Sequence, residues 1–306
     1  MSETVWRTPT PAEIRELSQL RPWRFALAYA VDWGLIALLF AGAAWLNHPA
    51  GYVLCVFFIG ACQHALGILG HEATHSRVHA NRRLNNFLAN LFNFWPLGLD
   101  GLMYQRFHLA HHLHTGAAGD PELKAKARQA PNYDLPMTVR HIGVAFLKDL
   151  VGGGIGELLN FFRMMPPASI VEILGPVLWW AAALAVLQVT GGLWIAAVWF
   201  AALFTSYWAV FRVRIFCEHM GTSGTHRTSQ TWWQRLLFFP HNIGYHYEHH
   251  NWPSIPFWNL PKVRLLDTTV PVVPAWQMLR SYAAHTPLAS GDVPMPLPAD
   301  EPTKAA

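Results

Sequence analysis

Four long apolar stretches constrain this chain more than any other feature. They run from about Phe25 to Leu46, Gly51 to Gly70, Ile170 to Val189 and Leu193 to Phe211. A bilayer core needs about 20 apolar residues per helix, and each stretch is close to that length. Lipid offers the backbone no hydrogen-bond partners, so segments like these cross as helices. They pair as two hairpins, turning at Asn47-His48-Pro49-Ala50 and at Thr190-Gly191-Gly192. Neither turn carries Lys or Arg. The opposite ends do, with Arg7, Arg15, Arg21 and Arg24 before the first stretch, Arg77, Arg82 and Arg83 after the second, and Arg212 and Arg214 after the fourth. Positive residues stay on the cytoplasmic side of a membrane, so both termini are expected there. Composition agrees, at 52% hydrophobic and 13% charged against roughly 25% charged in soluble domains. The net charge of +4 does not argue for nucleic acid, because the basic residues alternate with apolar segments and form no stripe.

Two further apolar segments are expected not to cross. Leu84 to Leu99 is short for a span and holds Asn85, Asn86, Asn90 and Asn93, which predicts a re-entrant or interfacial element. His141 to Met165 mixes Lys148, Asp149, Glu157 and Arg163 with apolar residues around Gly152-Gly153-Gly154. It reads as an amphipathic surface helix broken at the glycines. The polar first 20 residues predict no signal peptide. The resulting organisation is a cytoplasmic segment over 1–24, a membrane domain over 25–285 and a loose tail over 286–306. Cys55, Cys62 and Cys217 show no metal or disulfide spacing and read as small buried hydrophobes. Asp32, inside the first span, is expected to face the bundle or pair with an arginine. His64 reads as a buried, hydrogen-bonded histidine.

The chemistry is concentrated in histidine. Of seventeen in the chain, eight fall in three clusters: His71-Glu-Ala-Thr-His75, His108-Leu-Ala-His111-His112 and His246-Tyr-Glu-His249-His250. Neutral imidazole is the commonest side-chain metal ligand and suits iron, zinc, copper and nickel. Helical neighbours at i, i+3 and i+4 share a face, so each cluster is expected to aim two or three nitrogens at one point. Eight donors exceed the needs of one four-coordinate ion, and the economical reading is a two-metal site. The first cluster taken alone also matches the zinc-protease pattern H-E-x-x-H. A zinc protease is the remote alternative, since one ion does not account for two further clusters.

The three boxes, of the forms H-x3-H, H-x2-H-H and H-x2-H-H, resemble those of the membrane fatty acid desaturase and hydroxylase superfamily over about residues 50–262. The third region carries most of the likeness. Asn242-Ile-Gly-Tyr-His246-Tyr-Glu-His249-His250, then Pro253, Pro256 and Leu260-Pro261, is similar to the sphingolipid and acyl-lipid desaturases. The position of Asp120-Pro121-Glu122 after the second box is also similar to carotenoid ketolases. The resemblance implies an all-α integral membrane protein, four transmembrane helices as two hairpins with a cytoplasmic helical cap carrying a di-iron site, and O2 as co-substrate. It also implies a ninth histidine outside the boxes. Glu218-His219-Met220-Gly221 matches the Glu-His-x-Gly element of alkane hydroxylases, which points to His219, with His226 and His241 as the other candidates.

The implied metal ligands are therefore His71, His75, His108, His111, His112, His219, His246, His249 and His250. Glu72, Asp120, Glu218, Asn242 and Glu248 are expected to hold ligand rings through their N–H groups. Trp95, Tyr104, Trp208, Trp232, Trp233 and Trp252 are candidates either for an apolar tunnel or for an interfacial belt. The leading expectation is oxygen-dependent desaturation of a long acyl chain in a membrane lipid or thioester. The alternative is hydroxylation or ketolation of an acyl chain, alkane or carotenoid. With no cytochrome b5-type segment recognisable in the sequence, electrons are expected from a separate ferredoxin-, rubredoxin- or cytochrome-like carrier.

Overall fold

The computed structural model describes residues 7–284, so His285 and the tail over 286–306 lie outside the described residues. The chain is mostly helical. Among the described residues, four helices are long and apolar enough to cross a membrane: α2 (Pro22–Leu46), α3 (Pro49–Thr74), α9 (Ile170–Val189) and the run Leu193–Phe216. That last run is two helices, α10 (Leu193–Phe204) and α11 (Ser206–Phe216), separated by a break at Thr205. The short helix α1 (Pro11–Leu17) precedes them, capped reciprocally by Thr10 and Glu13.

The faces of α2 explain its setting. Phe25, Tyr29, Asp32, Ile36, Phe40 and Ala43 are buried at three- and four-residue spacing, the stripe a packed helix requires. The opposite stripe exposes Leu27, Val31, Leu35 and Leu38, where a soluble helix would carry charge. Helix α3 is the centre of the bundle, packing on α2, α10 and α11. Gly60 permits the contact with α11: a Cβ there would lie 2.5 Å from the Tyr207 backbone nitrogen. Ser206 donates across the same contact to the Val56 carbonyl at 2.7 Å.

Shorter helices gather at one end of the bundle. After α3 come α4 (Arg82–Ala89) and a π-helical turn over Asn90–Phe94. This is the segment expected not to cross, and it packs back on α3, with Asn93 donating to the Leu66 carbonyl and Asn85 to the Ala73 carbonyl, each at 2.9 Å. Its asparagines thus bind it to carbonyls of the neighbouring helix. Helix α5 (Gly101–His114) follows, then α6 (Pro121–Ala127), α7 (Val139–Lys148) and α8 (Gly154–Met164). Gly152, at φ 99°, breaks the run between α7 and α8 where the glycines predicted it. Arg106 of α5 bonds Glu172 at the start of α9 at 2.6 and 3.0 Å, tying that end of the bundle to a span. The chain closes with α12 (Trp232–Leu237), α13 (His246–Asn251), α14 (Leu260–Leu266) and α15 (Ala275–Ser281). A two-residue parallel pair, β1 (Thr228–Ser229) with β2 (Val273–Pro274), stitches the last part together. All three cysteines are buried and free.

Candidate metal centre

The histidines meet where the ends of α3, α5, α11 and α13 converge. His71 lies in the last turn of α3 and His75 caps it; α5 carries the second box and α13 the third. Nine histidines assemble into two groups in which one ring nitrogen from each member lies within 4.8 Å of the others. One group is His71, His75, His108, His112 and His249; the other is His111, His219, His246 and His250. His219 thus sits with the boxes. The other two candidates do not: His226 donates from Nε2 to the Met220 carbonyl at 2.6 Å, and His241 reaches Asp32 at 2.7 Å.

The expectation that each box aims at a single point is corrected. His108 and His112 enter the first group and His111 the second, while His246 and His250 enter the second group and His249 the first. The helix explains this. Residues four apart lie about 40° apart around the axis, whereas adjacent ones lie about 100° apart, at 3.6 residues per turn. An adjacent His-His pair therefore straddles two targets. The two H-x2-H-H boxes face each other and divide their histidines reciprocally, and the His112 and His250 rings stack at 4.1 Å across the boundary.

The donor set fits metal ions. His75 and His108 bring their Nε2 atoms to 2.9 Å, His219 and His246 to 2.8 Å, and His111 and His219 to 3.2 Å. Two nitrogens each about 2.0–2.1 Å from one ion and at right angles would be about 3 Å apart. Both ring nitrogens of buried His71 have no protein partner, which a buried polar group seldom tolerates. Burial also keeps the rings neutral, the form that binds metal. It pushes His75 down to about 3, His112 to about 2 and His219 to about 3, and holds His108, His246, His249 and His250 well below the usual range. His111 is the exception: burial disfavours its charge, but the Glu122 and Asp120 carboxylates outweigh that and raise it.

The carboxylates divide. Asp120 Oδ1 lies 2.9 Å from His111 Nδ1 and fixes that ring with Nε2 turned to the metal group. Its other oxygen accepts from the Gly116 N–H. Glu218 lies 3.2 Å from His246 Nδ1 and is itself held by Arg214 at 2.6 Å. Glu72 stands between His71 and His249, at 4.0 and 3.8 Å, too far for a direct bond, and accepts from the Phe257 N–H at 2.9 Å. Two expectations are corrected. Glu248 touches no ring; it points away from the histidines on either side of it and binds Arg227 and Arg264 at 2.7–2.9 Å. Asn242 donates to the Phe257 carbonyl and so braces the backbone rather than a ligand.

A family model described as fatty acid desaturase matches residues 47–278. The chain belongs to the fatty acid desaturase family. Among curated proteins it is 28% identical over 283 residues to dihydrorhizobitoxine desaturase of Bradyrhizobium elkanii, covering 83% of this chain and 79% of that protein. It is 26% identical over 247 residues to beta-carotene 4-ketolase 3 of Haematococcus lacustris, covering 76% and 67%. To the sphingolipid delta(4)-desaturase/C4-monooxygenase of Homo sapiens it is 24% identical over 250 residues, covering 76% and 73%.

This family member has a cavity of about 140 Å³ against the histidines, with His71, His108, His111 and His246 on its wall. One water needs about 10–15 Å³ on this kind of measure, so the space takes part of a larger molecule. Phe94, Leu97, Phe107, Phe161, Tyr207 and Phe211 make most of the lining apolar, while Glu122, Lys126 and Gln129 of the α6 region form a polar side. Of the aromatics singled out in the sequence, Tyr104 and Trp208 line the cavity. Trp95 bonds Asp100 instead, Trp232 and Trp233 are exposed, and Trp252 packs with Tyr245 and Ile255. Two further groups, outside the sequence expectations, approach the rings. Glu122 approaches His111 Nε2 at 3.5 Å, and the Gly224 carbonyl takes His219 Nδ1 at 2.8 Å. Glu122 stood beside Asp120 in the sequence and was legible there; a backbone carbonyl leaves no sequence signal.

Proposed function

We propose that the chain is an integral membrane di-iron oxidoreductase that uses dioxygen to desaturate a long acyl chain of a membrane lipid or thioester. The observation that carries this reading is the reciprocal division of nine histidines into groups of five and four beside one apolar cavity. His71, His75, His108, His112 and His249 would hold one iron, and His111, His219, His246 and His250 the other. Bound there, the pair would supply the oxidation of unactivated C–H bonds with oxygen. The protein's own part is positional. Asp120 and the Gly224 carbonyl orient the rings of His111 and His219, and Arg214 holds Glu218 beside His246. Glu122, 3.5 Å from His111 Nε2, brings negative charge to the rings. Phe107, Phe161 and Phe211 keep the chain dry and narrow its path to the histidines.

Hydroxylation or ketolation is the second reading, favoured by the named activities of two relatives, a ketolase and a desaturase/C4-monooxygenase. The distribution of arginines supports a cytoplasmic position for the termini and the metal end. Electrons would then come from a separate ferredoxin-, rubredoxin- or cytochrome-like carrier on that side. Expression in a lipid-bearing host, followed by mass spectrometry of total lipids, tests the reaction. A loss of two mass units from an acyl lipid, absent in a His111→Ala variant, is the expected result. A gain of sixteen instead establishes hydroxylation, and no oxygen-dependent change overturns both.

A further inference from the structure

The cavity contains polar atoms that the metal groups do not explain. His64 lies on its wall, 1% exposed, and neither ring nitrogen has a partner. Its ring is surrounded by aromatic faces, Phe211 at 5.8 Å and Tyr207 at 6.5 Å between centroids. Trp208, on the same wall and 5% exposed, has an unpartnered indole N–H. The half-buried Tyr207 places its hydroxyl beside Gly67 on that wall. Buried polar groups are nearly always paired, and two unpaired side chains with a phenol beside them around one apolar space point to something that enters it.

The sequence offered a hydrogen-bonded core histidine at position 64, and the structure gives it no internal partner. Seven residues separate it from His71 on α3, two turns and nearly the same face, about 10 Å along the axis at 1.5 Å per residue. A bare hydrocarbon in the cavity would leave His64 and Trp208 orphaned. A carbonyl could only accept. A hydroxyl both donates and accepts, as a neutral imidazole, an indole N–H and a phenol together require.

We propose that His64, with Tyr207 and Trp208, forms a subsite for a hydroxyl group on the substrate chain, about two helical turns from the metal groups. The substrate class is thereby a hydroxyl-bearing lipid rather than a plain alkane or unsubstituted carotene. The inference rests on reading this cavity as the place where substrate meets the metals.

The test is binding, read without turnover. The metal-loaded protein in lipid nanodiscs is given radiolabelled hexadecanol or hexadecane, and retention is measured against protein-free discs. Hexadecanol should be retained at least about tenfold better than hexadecane. Tyr207→Phe, which removes one oxygen, should shrink the ratio severalfold, and His64→Phe should bring it close to one, with metal content and hexadecane retention unchanged. Equal retention of both probes by the wild-type protein, as expected if only water fills the subsite, overturns the proposal. So does a full preference in Tyr207→Phe and His64→Phe, or in Tyr207→Phe alone should His64→Phe not fold. Failure of the desaturase reading would show separately, as missing iron or absent oxygen uptake in a protein that still prefers hexadecanol.

Discussion

At the scale of single residues, what decides a histidine's role is the angle at which its helix presents it. His111 and His112 are neighbours in sequence yet serve different groups. His219 belongs to the group of four, with Nδ1 held by the Gly224 carbonyl and Nε2 turned inward to His111 and His246. His219→Ala should therefore lose one of two bound metals and at least about 100-fold in activity, the upper range for disturbing even a ligand's support. His226→Ala, whose ring faces the Met220 carbonyl, should keep both metals. Metal analysis of the two purified variants checks this, and the reverse pattern would transfer the role to His226. Asp120→Asn keeps the shape but removes the charge beside His111 Nδ1, and should cost about 10–100-fold in metal affinity or activity, read by titration of the stripped protein. The boxes were legible because ligand spacing is local. Glu248 was misjudged because membership of a box does not say which way a side chain points; on the short helix α13 it lies opposite the ligands, between Arg227 and Arg264.

At the scale of elements, close backbone approach sets the frame of the site. Gly60 lets α3 meet α11, and these helices carry His71 and lead to His219. Gly60→Val places side-chain carbon against the Tyr207 backbone, which cannot yield as a flexible side chain would. Overpacking of this kind costs about 1–3 kcal/mol, so the melting temperature in detergent should fall while Gly34→Val, facing open space, changes it little. An equal response from both would remove the argument for a tight contact. The spans were legible from apolar length alone. The break at Thr205 was not, since no glycine or proline marks it. Nor was the partner of Asp32: His241, held at φ 49°, reaches from the loop before α13 to pair with it. Such a contact spans 209 positions and has no local pattern.

At the scale of the whole molecule, the site is a set of neutral rings buried together, and that has a thermodynamic consequence. His75, His112 and His219 are pushed from about 6.5 to about 3, 2 and 3. The unfolded chain therefore binds more protons than the folded one across that window, and stability rises with pH there. Metal-free protein should lose stability as pH falls below about 6.5, against the opposing effects of His111 and Glu218, whose protonated forms the folded state favours. A melting temperature unchanged between pH 7 and pH 5 would contradict this. Orientation is a second whole-molecule property. Fusions of a reporter at Asn132 should report the cytoplasm and fusions at Gly191 the opposite side; an exterior signal from Asn132 would break the proposed arrangement. The central claim is that nine histidines hold two irons, and elemental analysis of the purified, anaerobically loaded protein tests it most directly. The account predicts about two irons per chain, falling to about one in His219→Ala, whereas a single zinc without iron in the wild-type protein would contradict it.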